Sequence, residues 1–286
     1  MRGVIIGLGM VGMVESAAAA DLESLFLRGS DTPTYHWGGV YGGAQVGYSS
    51  ASVDFGNGVS SLIAFMLRNT TIEADEGISQ WTVLGKQVVN GTSLGGFVGY
   101  NSEWEDVILG LELNYSRMSL SASATDSISR SFIDNNVGGA TLASPPHNYT
   151  WGVTVTGTSS VHFTDLATLR ARAGWETGNF LPYGFIGLAV ARADVSRSAS
   201  VNAAAVDNVD TTVPATTPYP STGLNLTQTD GQNGMFAYGG AVGLGVDVAL
   251  LPNVFVRGEW EYIQFSPIKD LHVSMNSFRT AAGVRF

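Results

Sequence analysis

The chain contains no cysteine, which excludes a disulfide framework and any thiolate metal centre. Charge is also scarce, at 13% of residues, and the net charge of −10 comes with scattered basic residues. A nucleic-acid role therefore has no electrostatic support. Long apolar runs are missing too. Val4 to Val14 is too short to cross about 30 Å of hydrocarbon as a helix. The next most apolar stretch, Met235 to Leu251, is interrupted by Gly239, Gly240, Gly243, Gly245 and Asp247, which suits a strand. No G-x-S-x-G elbow or other spaced nucleophile signature occurs, so no catalytic residue is assigned and the chain is read as a non-enzyme. The histidines show no H-x-x-H or H-x-x-x-H spacing, so no metal site is expected. With no second compositional regime or Pro-rich linker, a single folded domain is expected.

What is present points to export. Arg2 begins a short positive region, Val4 to Val14 is apolar, and the small residues Ala17 to Ala20 precede Asp21. This is the layout of a secretory signal cleaved before Asp21. Residues 1–20 are read as the signal peptide, 21–36 as a short periplasmic segment and 37–286 as the folded domain.

The end of the chain is the most specific stretch. In Phe278 to Phe286, Phe278, Thr280, Ala282, Val284 and Phe286 share one face, and Arg279, Ala281, Gly283 and Arg285 share the other. A strand apolar outward and charged inward suits a closed barrel whose exterior touches lipid. Eight such segments are legible, near 37–48, 93–101, 106–118, 164–175, 183–195, 235–249, 254–265 and 273–286; the fifth has no clear face. Their links alternate between short (101–105, 178–182, 251–253) and long (49–92, 119–162, 196–234), with 266–272 in the remaining long-link position. The predicted fold is all-β: an eight-stranded antiparallel up-and-down transmembrane β-barrel with short periplasmic turns and long extracellular loops. Trp37, Tyr41, Tyr100, Trp104, Tyr115, Trp175, Phe180, Tyr183, Phe255, Tyr262, Phe265 and Phe286 are expected at the membrane interfaces.

The face assignments put Arg170, Arg172, Arg257, Arg279 and Arg285 in the lumen with Glu112, Asp247, Glu259 and Glu261. An eight-stranded barrel is just wide enough for its own side chains, so these charges are expected to pair into a structural plug. A polar path for a small ion is the competing reading. His147, His162 and His272 fall in or beside the predicted extracellular loops, where they are candidate haem ligands, the only cofactor considered.

WGGVYGGAQVGYSS, GGFVGYN, VFVRGEWEYIQF and the closing TAAGVRF resemble the strand patterns of small alphaproteobacterial outer-membrane barrels, the outer-membrane immunogenic or haemin-binding surface protein family. The resemblance covers nearly all of the mature chain and is weakest in the loops. It implies an outer-membrane surface barrel with a structural or surface-interaction role in the cell envelope, and haemin binding as in some members. It also implies that Phe286 is a signal read by barrel-assembly machinery, with membrane lipids and haemin or a host or environmental surface ligand as partners. No family binding residue transfers onto these loops, and the chain has no room for the peptidoglycan-binding domain of longer relatives.

Overall fold

The computed structural model describes residues 35–137, 147–207 and 223–286. The expected signal peptide and nearly all of the 21–36 segment lie outside the described residues. Eight strands form a closed antiparallel ring: β1 Gly39–Asp54, β2 Lys86–Trp104, β3 Val107–Val137, β4 His147–Trp175, β5 Phe180–Asp207, β6 Gly223–Leu251, β7 Val254–Phe265 and β8 His272–Arg285. Each strand pairs with the next, and β1 closes on β8 from Tyr41↔Arg285 to Asp54↔His272. Below Met118 on β3 and Gly239 on β6 closure leaves no unpaired sheet edge, the condition under which β-structure can sit in hydrocarbon.

Alternation in period two builds the lipid-facing band. On β3, Leu109, Leu111, Leu113 and Tyr115 are exposed, while Ile108, Glu112, Asn114 and Ser116 are buried. The fifth strand, unreadable in the sequence, turns Leu181, Tyr183, Phe185, Ala189 and Ala191 inward. Exposed Tyr48, Tyr115, Phe236, Tyr238 and Phe278 ring one end of the band, and Tyr100, Trp104, Trp175, Phe180 and Phe286 the other. Amphipathic rings favour those headgroup levels. Trp37, Tyr41, Tyr183, Phe255 and Phe265 correct the interface expectation: all five are buried inside the barrel.

A second correction concerns the long links. Most of 119–162 and 196–234 is strand, because β3, β4, β5 and β6 continue past the band. The continuation passes through bulges at one level. Thr164 is an extra residue on β4 between the pairs Phe163↔Ala193 and Asp165↔Arg192. On β6 the pairing with β5 slips between Ala193↔Met235 and Val195↔Gln232. One inserted residue exchanges the two faces of a strand. On β4 the buried set is thus Thr168, Arg170 and Arg172 below the bulge, and Val153, Val155, Val161 and Phe163 above it.

The upper interior is apolar because the β1–β2 link folds into it. Helix α1 (Ser60–Leu67) buries Leu62, Ile63 and Leu67; helix α2 (Thr71–Glu76) buries Ile72 and ends on Gly77, whose φ of +56° suits glycine. They join Phe55, Val59, Trp81 and Leu84 in one core with Phe163, Phe265, Leu271 and Met275. Phe163 and Phe265 stack with centroids 5.8 Å apart. Gly157 admits this lid, since a Cβ there would come 3.1 Å from the Val59 side chain.

Arg197 on β5 clamps the lid. Its guanidinium donates to the Gly58 carbonyl at 3.1 Å, the Lys269 carbonyl at 3.1 Å and the Asp230 carboxylate at 2.7 Å. Lys269 Nζ also reaches Asp230 at 2.7 Å. Hydrogen bonds from Lys269 and Arg197 hold the Asp230 carboxyl below the usual carboxylate range. A lowered folded-state value means the contribution is present above the ordinary range and is lost as pH falls through the lowered value. Replacing Arg197 by Met should raise amide exchange across Ser60–Leu67 and leave the membrane half of β7 protected. In the parent, protection of α1 should hold from neutral pH to about pH 4 and decline below it.

Candidate functional site

At the level of the lipid band the lumen is filled by charge. Arg170 reaches Glu259 at 2.5 Å, Glu112 at 2.6 Å and Glu261 at 3.5 Å. Arg257 takes Asp247 through Nε at 2.7 Å and Glu112 through Nη1 at 2.7 Å. Arg172 bridges Asp247 at 2.7 Å and Glu112 at 3.3 Å. Arg279 pairs with Glu261 and lies 3.8 Å from Glu259. All of these side chains are at most 4% exposed. Glu112 and Arg170 face each other across β3 and β4, Asp247 and Arg257 across β6 and β7, and Glu259 and Arg279 across β7 and β8. Strand register therefore delivers the partners.

Neutral groups add hydrogen bonds to the buried carboxylates. Tyr41 Oη donates to Glu112 at 2.9 Å, Tyr183 Oη to Glu259 at 2.8 Å and Asn114 Nδ2 to Glu112 at 2.5 Å. The Arg172 guanidinium lies 3.8 Å from the Tyr183 ring centre, and that of Arg257 lies 4.4 Å from the Phe97 ring centre. The two tyrosines fit because glycine faces them. A Cβ on Gly99 would overlap the Tyr41 ring, and one on Gly245 the Tyr183 ring. Below this layer Tyr35, Trp37, Tyr41, Phe97, Ile108, Leu181 and Phe255 close the periplasmic end. The interior is thus an apolar base, an ionic layer and an apolar lid.

Of the nine charges expected in the lumen, Glu112, Arg170, Arg172, Asp247, Arg257, Glu259, Glu261 and Arg279 meet in the network. Arg285 does not. It faces inward one level too low, donates to the Gly38 carbonyl at 3.1 Å and lies over the Tyr35 ring. Tyr41, Tyr183 and Asn114 fall outside the expected set, although each lies on the inward face of its strand.

The histidines are not brought together. His162 stands on the outer wall of β4, its Nδ1 2.6 Å from Ser121 Oγ. His272 opens β8 opposite Asp54 of β1. β4 and β8 are separated by three strands in either direction round the ring, so these two rings face away from each other. His147 begins β4, and its side chain lies outside the described residues. Among the described residues no group of three or more His, Asp or Glu is placed to hold a metal ion.

Removing one member of a buried ionic set strands the rest. Glu112→Ala should destabilise the barrel by about 3–5 kcal/mol in urea unfolding from detergent micelles. Arg285→Gln, outside the network, should cost far less.

Residues 6–286 match the model of the family described as outer membrane protein beta-barrel domain. Among solved structures the chain is similar to Ail, the attachment invasion locus protein of Yersinia pestis, at 13% identity over 87% of this chain and 99% of that one, with a TM-score of 0.33. It is also similar to the Neisserial surface protein A at 12% identity, covering 86% and 97%, with a TM-score of 0.30. The N-terminal barrel domain of Pseudomonas aeruginosa OprF matches at 12% identity, covering 85% and 97%, with a TM-score of 0.30. No curated protein matches at a significant level. With its family model matched over nearly the whole length, the chain belongs to the outer membrane protein beta-barrel domain family.

Proposed function

We propose that this outer-membrane barrel is a structural and surface-interaction protein of the cell envelope that neither conducts ions nor binds haem. The observation that carries the reading is the division of the molecule by height. The lumen is packed solid at the ionic layer and covered by the loop-borne core. β3 to β6 meanwhile continue as a wall beyond the lipid band. An ion path would have to displace paired guanidiniums and carboxylates from a lumen that side chains already fill. The wall is where a partner has access.

The opposed placement of His162 and His272 supports the absence of a shared haem site. Export through a leader ending at Ala20 and recognition of Phe286 by assembly machinery belong to the same proposal. Phe286 is 85% exposed, and its backbone N–H is tied to the Val40 carbonyl at 2.9 Å, so the ring is available to a reader.

Two measurements on the folded barrel test the reading. Planar-bilayer recording should show no unitary conductance, and a haemin titration should show no saturable band shift beyond that of a His147→Ala/His162→Ala/His272→Ala variant. Stable channel openings would overturn the closed-lumen reading, and saturable binding lost in the triple variant would make this a haem protein.

A further inference from the structure

The ring opens above the lipid band. β2 leaves β3 after Ser93↔Met118 and continues upward with β1 alone, from Thr92↔Tyr48 to Lys86↔Asp54. β7 likewise pairs with β6 only from Gly239 downward. β3 to β6 therefore rise as a four-stranded sheet with two free edges. The β6 edge is blunted. Its pairing slips between Ala193↔Met235 and Val195↔Gln232, and its Asp230 is held by Arg197 and Lys269. The β3 edge is not: from Ala122 to Ile133 it has no proline, glycine or lysine, and it pairs with β4 without a slip.

The free side of β3 carries unpaired backbone groups. The Ser127 N–H turns to the Asp126 carboxylate at 2.7 Å instead of into the ladder with β4. Alternate residues of an antiparallel strand turn both backbone groups the same way, so Ser123, Thr125, Ser129 and Ser131 face the free side as well. Among the described residues, no group other than the Asp126 carboxylate hydrogen-bonds to the backbone of that side. Such a row accepts one kind of partner, an extended strand. The inward side chains then select the strand. Asp126 and Arg130 are exposed, while Ile128 and Phe132 pack on the core. The two charges stand two residues either side of Ile128. An antiparallel copy of the same strand, centred on Ile128, would set Asp126 against Arg130 of the second copy, twice over, and Ala124 against its Phe132. The hydrogen-bonded pairs would be Ser127 with Ser129 and Thr125 with Ser131, whose backbone already faces out. Moving the centre by one residue sets each charge against an apolar side chain. Moving it by two sets Asp126 or Arg130 against its own copy. The register is therefore self-complementary at Ile128.

We propose that the β3 edge pairs with the β3 edge of a second copy of this chain on a facing membrane, a homotypic contact between cells. Copies side by side in one membrane run their β3 strands in the same direction, whereas this pairing is antiparallel, so the two barrels must point at each other. Arg130 of the second copy would draw the Asp126 carboxylate off the Ser127 N–H and free that donor for the new ladder. The inference rests on the surface-interaction reading above and names the partner of that surface.

The test is clustering of two dye-labelled populations of phosphatidylcholine vesicles that carry the folded full chain, read by energy transfer between them. The parent should cluster them. Asp126→Arg on both populations, or Arg130→Asp on both, should weaken clustering at least about tenfold, because like charges then meet at both positions. Asp126→Arg vesicles mixed with Arg130→Asp vesicles should cluster as the parent does, since opposite charges face each other again. In a chain without cysteine, Ile128→Cys should form a disulfide between copies and Ser123→Cys should not. Retained heat-dependent gel mobility will show that each variant is folded. No clustering by the parent, undiminished clustering by either variant alone, or no recovery in the mixture would overturn the proposal. Bilayer recording on the same preparations separates the two levels: a conducting barrel would sink the closed-lumen reading, whatever the vesicles do.

Discussion

The burial of Glu112 against three arginines is the constraint on which the rest depends. Its carboxylate receives Arg170 at 2.6 Å, Arg257 at 2.7 Å and Arg172 at 3.3 Å. These partners arrive from β4 and β7, so they meet only in a ring of this strand number and register. Isolated charges in such a place would cost several kcal/mol each. The paired set offsets that cost without contributing much net stability over a well-packed apolar filling. What it supplies is discrimination: a one-residue slip between β3 and β4 would turn Glu112 or Arg170 into lipid. The same layer fills the lumen, so architecture and closure have one cause.

Height then divides the labour. Within the band, the outside must be apolar and the inside can be charged because pairing is dense. Above the bulges at Thr164 and Gly234 the requirement inverts, and Val155, Val161 and Phe163 point inward while hydroxyls face water. The inverted interior needs an apolar filling, which α1 and its neighbours provide under the Arg197 clamp. The lid is therefore part of the core.

The membrane half was legible because its contrast is high. Apolar residues against Glu or Arg at alternate positions identify the faces of β3, β4, β7 and β8 without a structure. The extracellular half was not, for two reasons that can be located. On β5 and the upper part of β3 the alternation is of Ala and Val against Ser, as in Ala199 against Ser198, which carries little hydropathy signal. On β4 and β6 the period breaks at Thr164 and at Asn233 and Gly234, so a reading of faces stops where the bulge begins. Arg285 shows a third limit, since parity places a side chain inside but does not give its height. Tyr41 and Tyr183 show a fourth limit: aromatics near strand ends suggested the interface, but both rings are buried in the lumen. The lid was invisible because its packing partners lie on strands far away in sequence.

The central claim is that the ionic layer acts as one coupled unit that holds the ring in register. A double-mutant cycle on Glu112→Leu and Arg257→Met, read by urea unfolding in micelles, tests it most directly. Coupling predicts that the double variant is less destabilised than the sum of the singles by about 1–3 kcal/mol. Additive losses within about 0.5 kcal/mol would mean that these groups act independently, and the account of the lumen as a register-setting network would be wrong.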